Sequence, residues 1–76
     1  MDLNVFLEKF SDQFEDIDRE NIAFDTHYKT LESWDSLTAF SIQAMIEDDY
    51  SVEINGEDLK TVDTVEELFL LVKSKM

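Results

Sequence analysis

Apolar residues return in this chain at the spacing of an α-helix and almost nowhere at the alternating spacing of a strand. Leu3, Phe6, Leu7, Phe10 and Phe14 follow the i, i+3, i+4, i+7 pattern of one buried helical face. Asp2, just ahead of them, is a good N-cap residue. A second helix is expected from Ser36 to about Tyr50, with Asp35 placed to cap its start. Asn55 and the single glycine, Gly56, mark a turn, and a short helical turn is expected over Glu57 to Thr61. Thr64-Val65-Glu66-Glu67 fits the T-x-x-E capping box and opens a last helix whose apolar face is Val65, Leu68, Phe69 and Val72. No proline interrupts these segments. The pattern predicts an all-α fold, a small four-helix bundle with three longer helices and one short one.

Residues from about Asp16 to Trp34 show no sustained period. Ile17, Ile22, Phe24, Tyr28 and Leu31 are scattered through this stretch and are expected to pin a long loop to the core. A loop of such length in a compact domain is unusual and is often functional.

At 76 residues the chain is expected to form one domain, residues 1–76, with a modest core. Six phenylalanines and an apolar content of 43% suffice to fill it. The absence of cysteine excludes disulfides and Cys-based metal sites. Asp and Glu interrupt every apolar run, so neither a signal peptide nor a membrane span is expected, and a cytoplasmic location is the default. The net charge of -13 disfavours nucleic acid and anionic membrane as partners, since neither releases counterions to an anionic surface. It suits partners with basic patches, or serves solubility alone. Disorder is excluded by the regular helical spacing.

The second helix carries two apolar faces. At about 100° per residue, Ala39, Ile42, Ile46 and Tyr50 gather on one side, while Leu37, Phe40 and Ala44 gather nearly opposite. The first set is longer and runs to the helix end, so it is assigned to the core. The second set lies beside Ser41, Glu47 and Asp48, with Ser36 at its N-terminal end. Exposed apolar residues ringed by acids form a docking surface. The alternative is that Phe40 packs under the long loop, as large aromatics usually do.

The segment Trp34-Asp35-Ser36-Leu37 resembles the Asp-Ser-Leu signature of acyl carrier proteins. The resemblance extends beyond those residues. A long loop precedes the motif, a helix begins at the serine, and Glu53-Ile54, a short third segment and a helix opened by Thr64-Val65 follow. The acidity and length match as well. The resemblance implies a bundle of acyl-carrier type and a 4'-phosphopantetheine arm, delivered from coenzyme A by a phosphopantetheinyl transferase, on Ser36. It implies that the terminal thiol of that arm holds acyl groups as thioesters, that the chain is not itself an enzyme, and that the bundle partly encloses the acyl chain. It gives Asp35 a part in placing the transferase's divalent metal. Leu37 offers an apolar contact beside the modified serine. Acyl-transferring and synthase enzymes with basic patches would dock on Phe40, Ser41, Ala44, Glu47 and Asp48, and the carrier would act as a monomer in fatty-acid or related lipid or polyketide synthesis. The physics of a helix start is compatible with this, because unpaired N–H groups and the positive end of the dipole favour an anion there.

The chain departs from the family pattern at three places. Trp34 stands where glycine is common, Ser41 where an acid is common, and Asn55 where proline is frequent. Trp34 either packs the loop against the helix start or adds a partner contact. These departures leave open a dedicated carrier for a specialised pathway, including a carrier of aminoacyl or peptidyl groups. An unmodified acidic interaction domain is the remaining alternative. His27, the single histidine, reads as a surface loop residue. Glu47-Asp48-Asp49 lacks the alternating oxygen ligands and central glycine of an EF-hand loop and reads as a solvated recognition face.

Overall fold

A computed structural model of the chain describes residues 2–14, 21–32 and 34–76. Four α-helices are present among them: α1 (Leu3–Ser11), α2 (Ser36–Tyr50), α3 (Gly56–Thr61) and α4 (Val65–Ser74). The helices α2 and α4 both pack on α1. The expected all-α bundle, three longer helices and one short, is the observed one.

Each helix starts where a short polar side chain meets its first unpaired N–H groups. Asp2 accepts from the Asn4 N–H at 2.8 Å to begin α1. That helix ends sooner than its apolar spacing implies. After Ser11 the chain tightens into i→i+3 bonds, Gln13 N–H to the Phe10 carbonyl and Phe14 N–H to the Ser11 carbonyl, which still bring Phe14 into the core. The buried Ser11 hydroxyl is satisfied by the Leu7 and Glu8 carbonyls at 2.9 and 3.1 Å.

Asn55 and Gly56 form a helix start rather than a free turn. The Asn55 side chain accepts from the Asp58 N–H at 2.8 Å, and the Asp58 carboxylate accepts from the Asn55 N–H at 3.2 Å. This reciprocal capping box gives a six-residue helix an end it would otherwise lack. It also gives a physical reason for asparagine at this position. At α4 the expected box forms in altered shape. Thr64 accepts from the Glu67 N–H, but the Glu67 carboxylate returns to the Thr64 hydroxyl, both at 3.2 Å.

The segment between α1 and α2 is tied down by side chains and backbone together. Tyr28, in a 3₁₀ turn (Tyr28–Thr30), is fully buried, and its hydroxyl donates toward the Leu59 and Val62 carbonyls at 3.3 and 3.4 Å. Lys29 donates to the Lys60 carbonyl at 2.9 Å and pairs with Asp63 at 3.6 Å. The Phe24 carbonyl accepts from the Glu66 N–H at 2.9 Å, satisfying one of the unpaired donors at the start of α4. An isolated antiparallel bridge joins His27 to Thr64. Ile22 is buried, Leu31 packs partly buried against the core, and Phe24 is half-buried. The expectation for Ile17 lies outside the described residues.

The core is rich in aromatic rings. Phe6 meets Phe69 edge-to-face at 5.5 Å between centroids, and Phe10 meets Tyr28 at 5.3 Å. Trp34 packs edge-to-face on Tyr28 at 5.0 Å, so of its two expected roles it performs the packing one. The four apolar residues expected on α4 are all buried.

Candidate functional site

The candidate site is built on the first turn and outer face of α2. Asp35 stands in extended backbone as the N-cap, and its carboxylate accepts from the Thr38 N–H at 2.8 Å. That bond, joined by one from the Thr38 side chain, holds the Asp35 carboxyl below the usual carboxylate range against the opposing effect of desolvation, with the Leu37 N–H adding a lesser contribution. Asp35 is therefore ionised at neutral pH. Ser36 is the first residue of the helix and is exposed. Among the described residues no hydrogen bond engages its hydroxyl, and the exposed oxygen is accessible.

The structure modifies one expectation here. A helix start favours an added anion only where its donors are free, and Asp35 already accepts from the Thr38 N–H. A phosphodiester on Ser36 would stand beside a carboxylate rather than in an empty donor cradle. Thr38 is the member of this site that sequence reasoning left out. Its position three residues after an Asp N-cap is the signal that identifies it.

The two faces of α2 separate as the helical angle requires. Ile42 and Ile46 are fully buried, and Ala39 and Tyr50 pack partly buried beside them. Met45, on neither expected face, is buried as well, because the core-facing arc of α2 is broad. Leu37 and Phe40 are 78% and 70% exposed. The alternative of Phe40 under the loop is thereby excluded. Ser36, Phe40 and Glu47 fall within about 40° on the helix, with Leu37, Ala44, Asp48 and Ser41 completing the same side. Glu47 and Asp48 are exposed, while Ser41 and Ala44 are half-buried at the edge of a shallow open depression that Gln13, Met45, Asp48 and Asp49 also line.

The acids at the end of α2 oppose helix stability. Glu47, Asp48 and Asp49 occupy the last turn, where the macrodipole favours cations, and that turn holds no basic residue. Lys9 offsets part of this from α1, pairing with Asp49 at 3.6 Å and lying 5.1 Å from the centre of the Tyr50 ring. Glu47 and Asp48 form no ion pair among the described residues. An acidic, partly apolar helix face with an accessible hydroxyl at its head suits recognition of a basic protein surface and attachment of a group. Among the described residues it contains no constellation for catalysis. Among the described residues no group of His, Asp and Glu side chains is arranged to hold a metal ion. His27 is exposed, away from any such group.

The model of the phosphopantetheine attachment site family matches residues 4–72. This chain belongs to that family. Comparison with curated proteins and with solved structures gives no significant match. As a member, the chain is a carrier protein with a covalently attached 4'-phosphopantetheine and is not an enzyme. The residues present fit the group. A carrier needs an exposed hydroxyl, and the head of α2 presents one that no other described residue bonds. No described helix is long and apolar enough to cross a membrane.

Proposed function

We propose that Ser36 is the attachment residue and that the chain is an acyl carrier serving successive enzymes of fatty-acid, related lipid or polyketide synthesis. The observation that carries this reading is the exposed Ser36 at the head of α2, directly after an ionised Asp35 and on the same face as Leu37 and Phe40. In the loading step the Ser36 oxygen forms a bond to the phosphorus of the pantetheine arm. The pyrophosphate bond of coenzyme A breaks, adenosine 3',5'-bisphosphate leaves, and the serine proton passes to a base of the transferase or to solvent. The arm, once bound, supplies a thiol that holds the carried group as a thioester.

The chain's own residues orient and present. Asp35 fixes the helix start and offers a carboxylate for the divalent metal of the phosphopantetheinyl transferase. Leu37 and Phe40 supply apolar anchors, and Glu47 and Asp48 meet basic patches on the transferase and on acyl-transferring and synthase enzymes, with Ser41 and Ala44 at the edge of that contact. The 76 residues act as one carrier domain, as a monomer in the cytoplasm. An acidic docking face favours acyl over peptidyl cargo, while Ser41, standing where an acid is common in the family, favours dedicated partners over housekeeping ones.

Incubation with coenzyme A, magnesium and a promiscuous phosphopantetheinyl transferase tests the reading by intact mass. The chain should gain one phosphopantetheinyl unit and Ser36→Ala none. A wild-type mass that stays constant, or a variant that still gains the unit, would overturn it.

A further inference from the structure

Resting on Ser36 as the attachment residue, we propose that the half-exposed indole of Trp34 is a docking site for the phosphopantetheine arm, which folds back to lay its geminal methyl groups against the ring. The backbone brings the two together. Asp35, between them, is extended at φ -150° and ψ -178°. An extended residue carries the chain nearly straight, so the Cα atoms of Trp34 and Ser36 lie about 7 Å apart. Side chains alternate about such a residue. The Asp35 carboxylate turns to the Thr38 N–H, and Trp34 and Ser36 project to the side away from it.

The indole is held in place before any arm arrives. It meets Tyr28 edge-to-face at 5.0 Å and Phe14 at 6.4 Å. Those rings fix it from the core side, yet Trp34 is only half-buried, so part of its surface stays in water. A ring already fixed loses little side-chain entropy on gaining a contact. Leu37 and Phe40, the other apolar groups near Ser36, are 78% and 70% exposed, and each would have to be immobilised by the same contact. Glycine, common at position 34 in the family, provides no such surface.

The chemistry of the arm suits this neighbour. A phosphodiester comes first, then a carbon bearing two methyl groups, then a hydroxyl and two amides. Its first apolar group stands about 5 Å from the serine oxygen, within reach of a side chain rooted about 7 Å from Ser36. Methyl groups and amide planes both pack on aromatic faces. Charge sets the direction, because the ionised Asp35 repels the phosphodiester toward the side on which Trp34 stands. The tether holds the arm at an effective concentration of about millimolar or above, so a contact too weak to capture free coenzyme A is populated here. With the arm on Trp34, Leu37 and Phe40 stay clear for partner enzymes.

The test loads the full chain from coenzyme A labelled with ¹³C in its geminal methyl groups, using a promiscuous transferase, and intact mass confirms the product. Ring currents then report the contact. The geminal methyl signals should move upfield of their position in free coenzyme A and show nuclear Overhauser effects to the indole protons of Trp34, the single tryptophan. In Trp34→Leu, with its fold checked by circular dichroism, the signals should return to the free position. Methyl signals that do not move in the wild-type chain, or Overhauser effects to Leu37 and Phe40 alone, would overturn the proposal. If the chain gains no mass, the reading of Ser36 fails and this inference with it. If Ser36 is loaded and the methyl signals stay at their free position, only the inference fails.

Discussion

Phe40→Ala separates a docking residue from a core residue. Phe40 is 70% exposed, so it keeps roughly a third of the contact a buried ring would have. Full burial of such a side chain contributes about 1.5–3 kcal/mol, which leaves about 0.5–1 kcal/mol here. The better helix propensity of alanine returns about half a kcal/mol. The expected change in folding stability is therefore within about 0.5 kcal/mol of zero, or less than about 4 °C in Tm for a domain of this size. Phe10→Ala is the internal control, because Phe10 is at 0% exposure. Removing it costs about 3–5 kcal/mol, a large share of the roughly 4–11 kcal/mol a domain of this length commands. Thermal melts followed by circular dichroism measure both variants. The same Phe40→Ala protein is then assayed as a substrate of a phosphopantetheinyl transferase. Loss of a central apolar anchor should lower kcat/KM by about fivefold or more, the equivalent of about 1 kcal/mol. A Phe40→Ala melt lowered as far as that of Phe10→Ala would place Phe40 in the core and refute the reasoning.

Further perturbations probe the chemistry that surrounds this face. Ser51 ends α2 in the left-handed region, at φ 56° and ψ 34°, where a Cβ is strained; Ser51→Gly should stabilise the fold by about 1 kcal/mol in urea unfolding. The Asp35 carboxyl is held low in the folded chain, so its contribution is complete above about pH 3.9 and is lost as pH falls toward the depressed value. Wild type should thus lose its advantage over Asp35→Asn as melts are taken through that acid window, and an advantage independent of pH would contradict the assignment. Burial, with Asp63 and Glu67 nearby, pushes the Tyr28 hydroxyl well above its ordinary value. Its contribution is complete below about pH 10 and declines as pH rises beyond that, so the alkaline fall in Tm should be shallower in Tyr28→Phe.

Features fixed by neighbours in sequence were legible in advance, and features fixed across the fold were not. The caps at Asp2, Asp35 and Thr64 depend on a few consecutive residues, so the starts of α1, α2 and α4 could be placed. The two faces of α2 follow from helical angle alone, which is why Leu37 and Phe40 could be separated from Ile42 and Ile46. Asn55 was harder, because Asn-Gly is a strong turn signal and the stabilising partner, Asp58, lies beyond it. Met45 sits between the expected faces, and only the breadth of the packing arc decides its burial. The tie from Tyr28 to the Leu59 and Val62 carbonyls spans 31 and 34 residues, so no local pattern announces it. Ser51 adopts its left-handed conformation without the glycine or asparagine that usually signals one. At the site itself, the head of α2 was readable from Asp35 and Ser36, but the occupation of its donors by Asp35 required the geometry.

Fragmentation mass spectrometry of the loaded chain tests the central claim most directly. After treatment with coenzyme A and transferase, the proteolytic peptide containing Trp34-Asp35-Ser36-Leu37 should carry the whole phosphopantetheinyl mass, and fragment ions should place it on Ser36. The mass found on Ser41, Ser51 or any other hydroxyl, or retained in full by Ser36→Ala, would contradict the account.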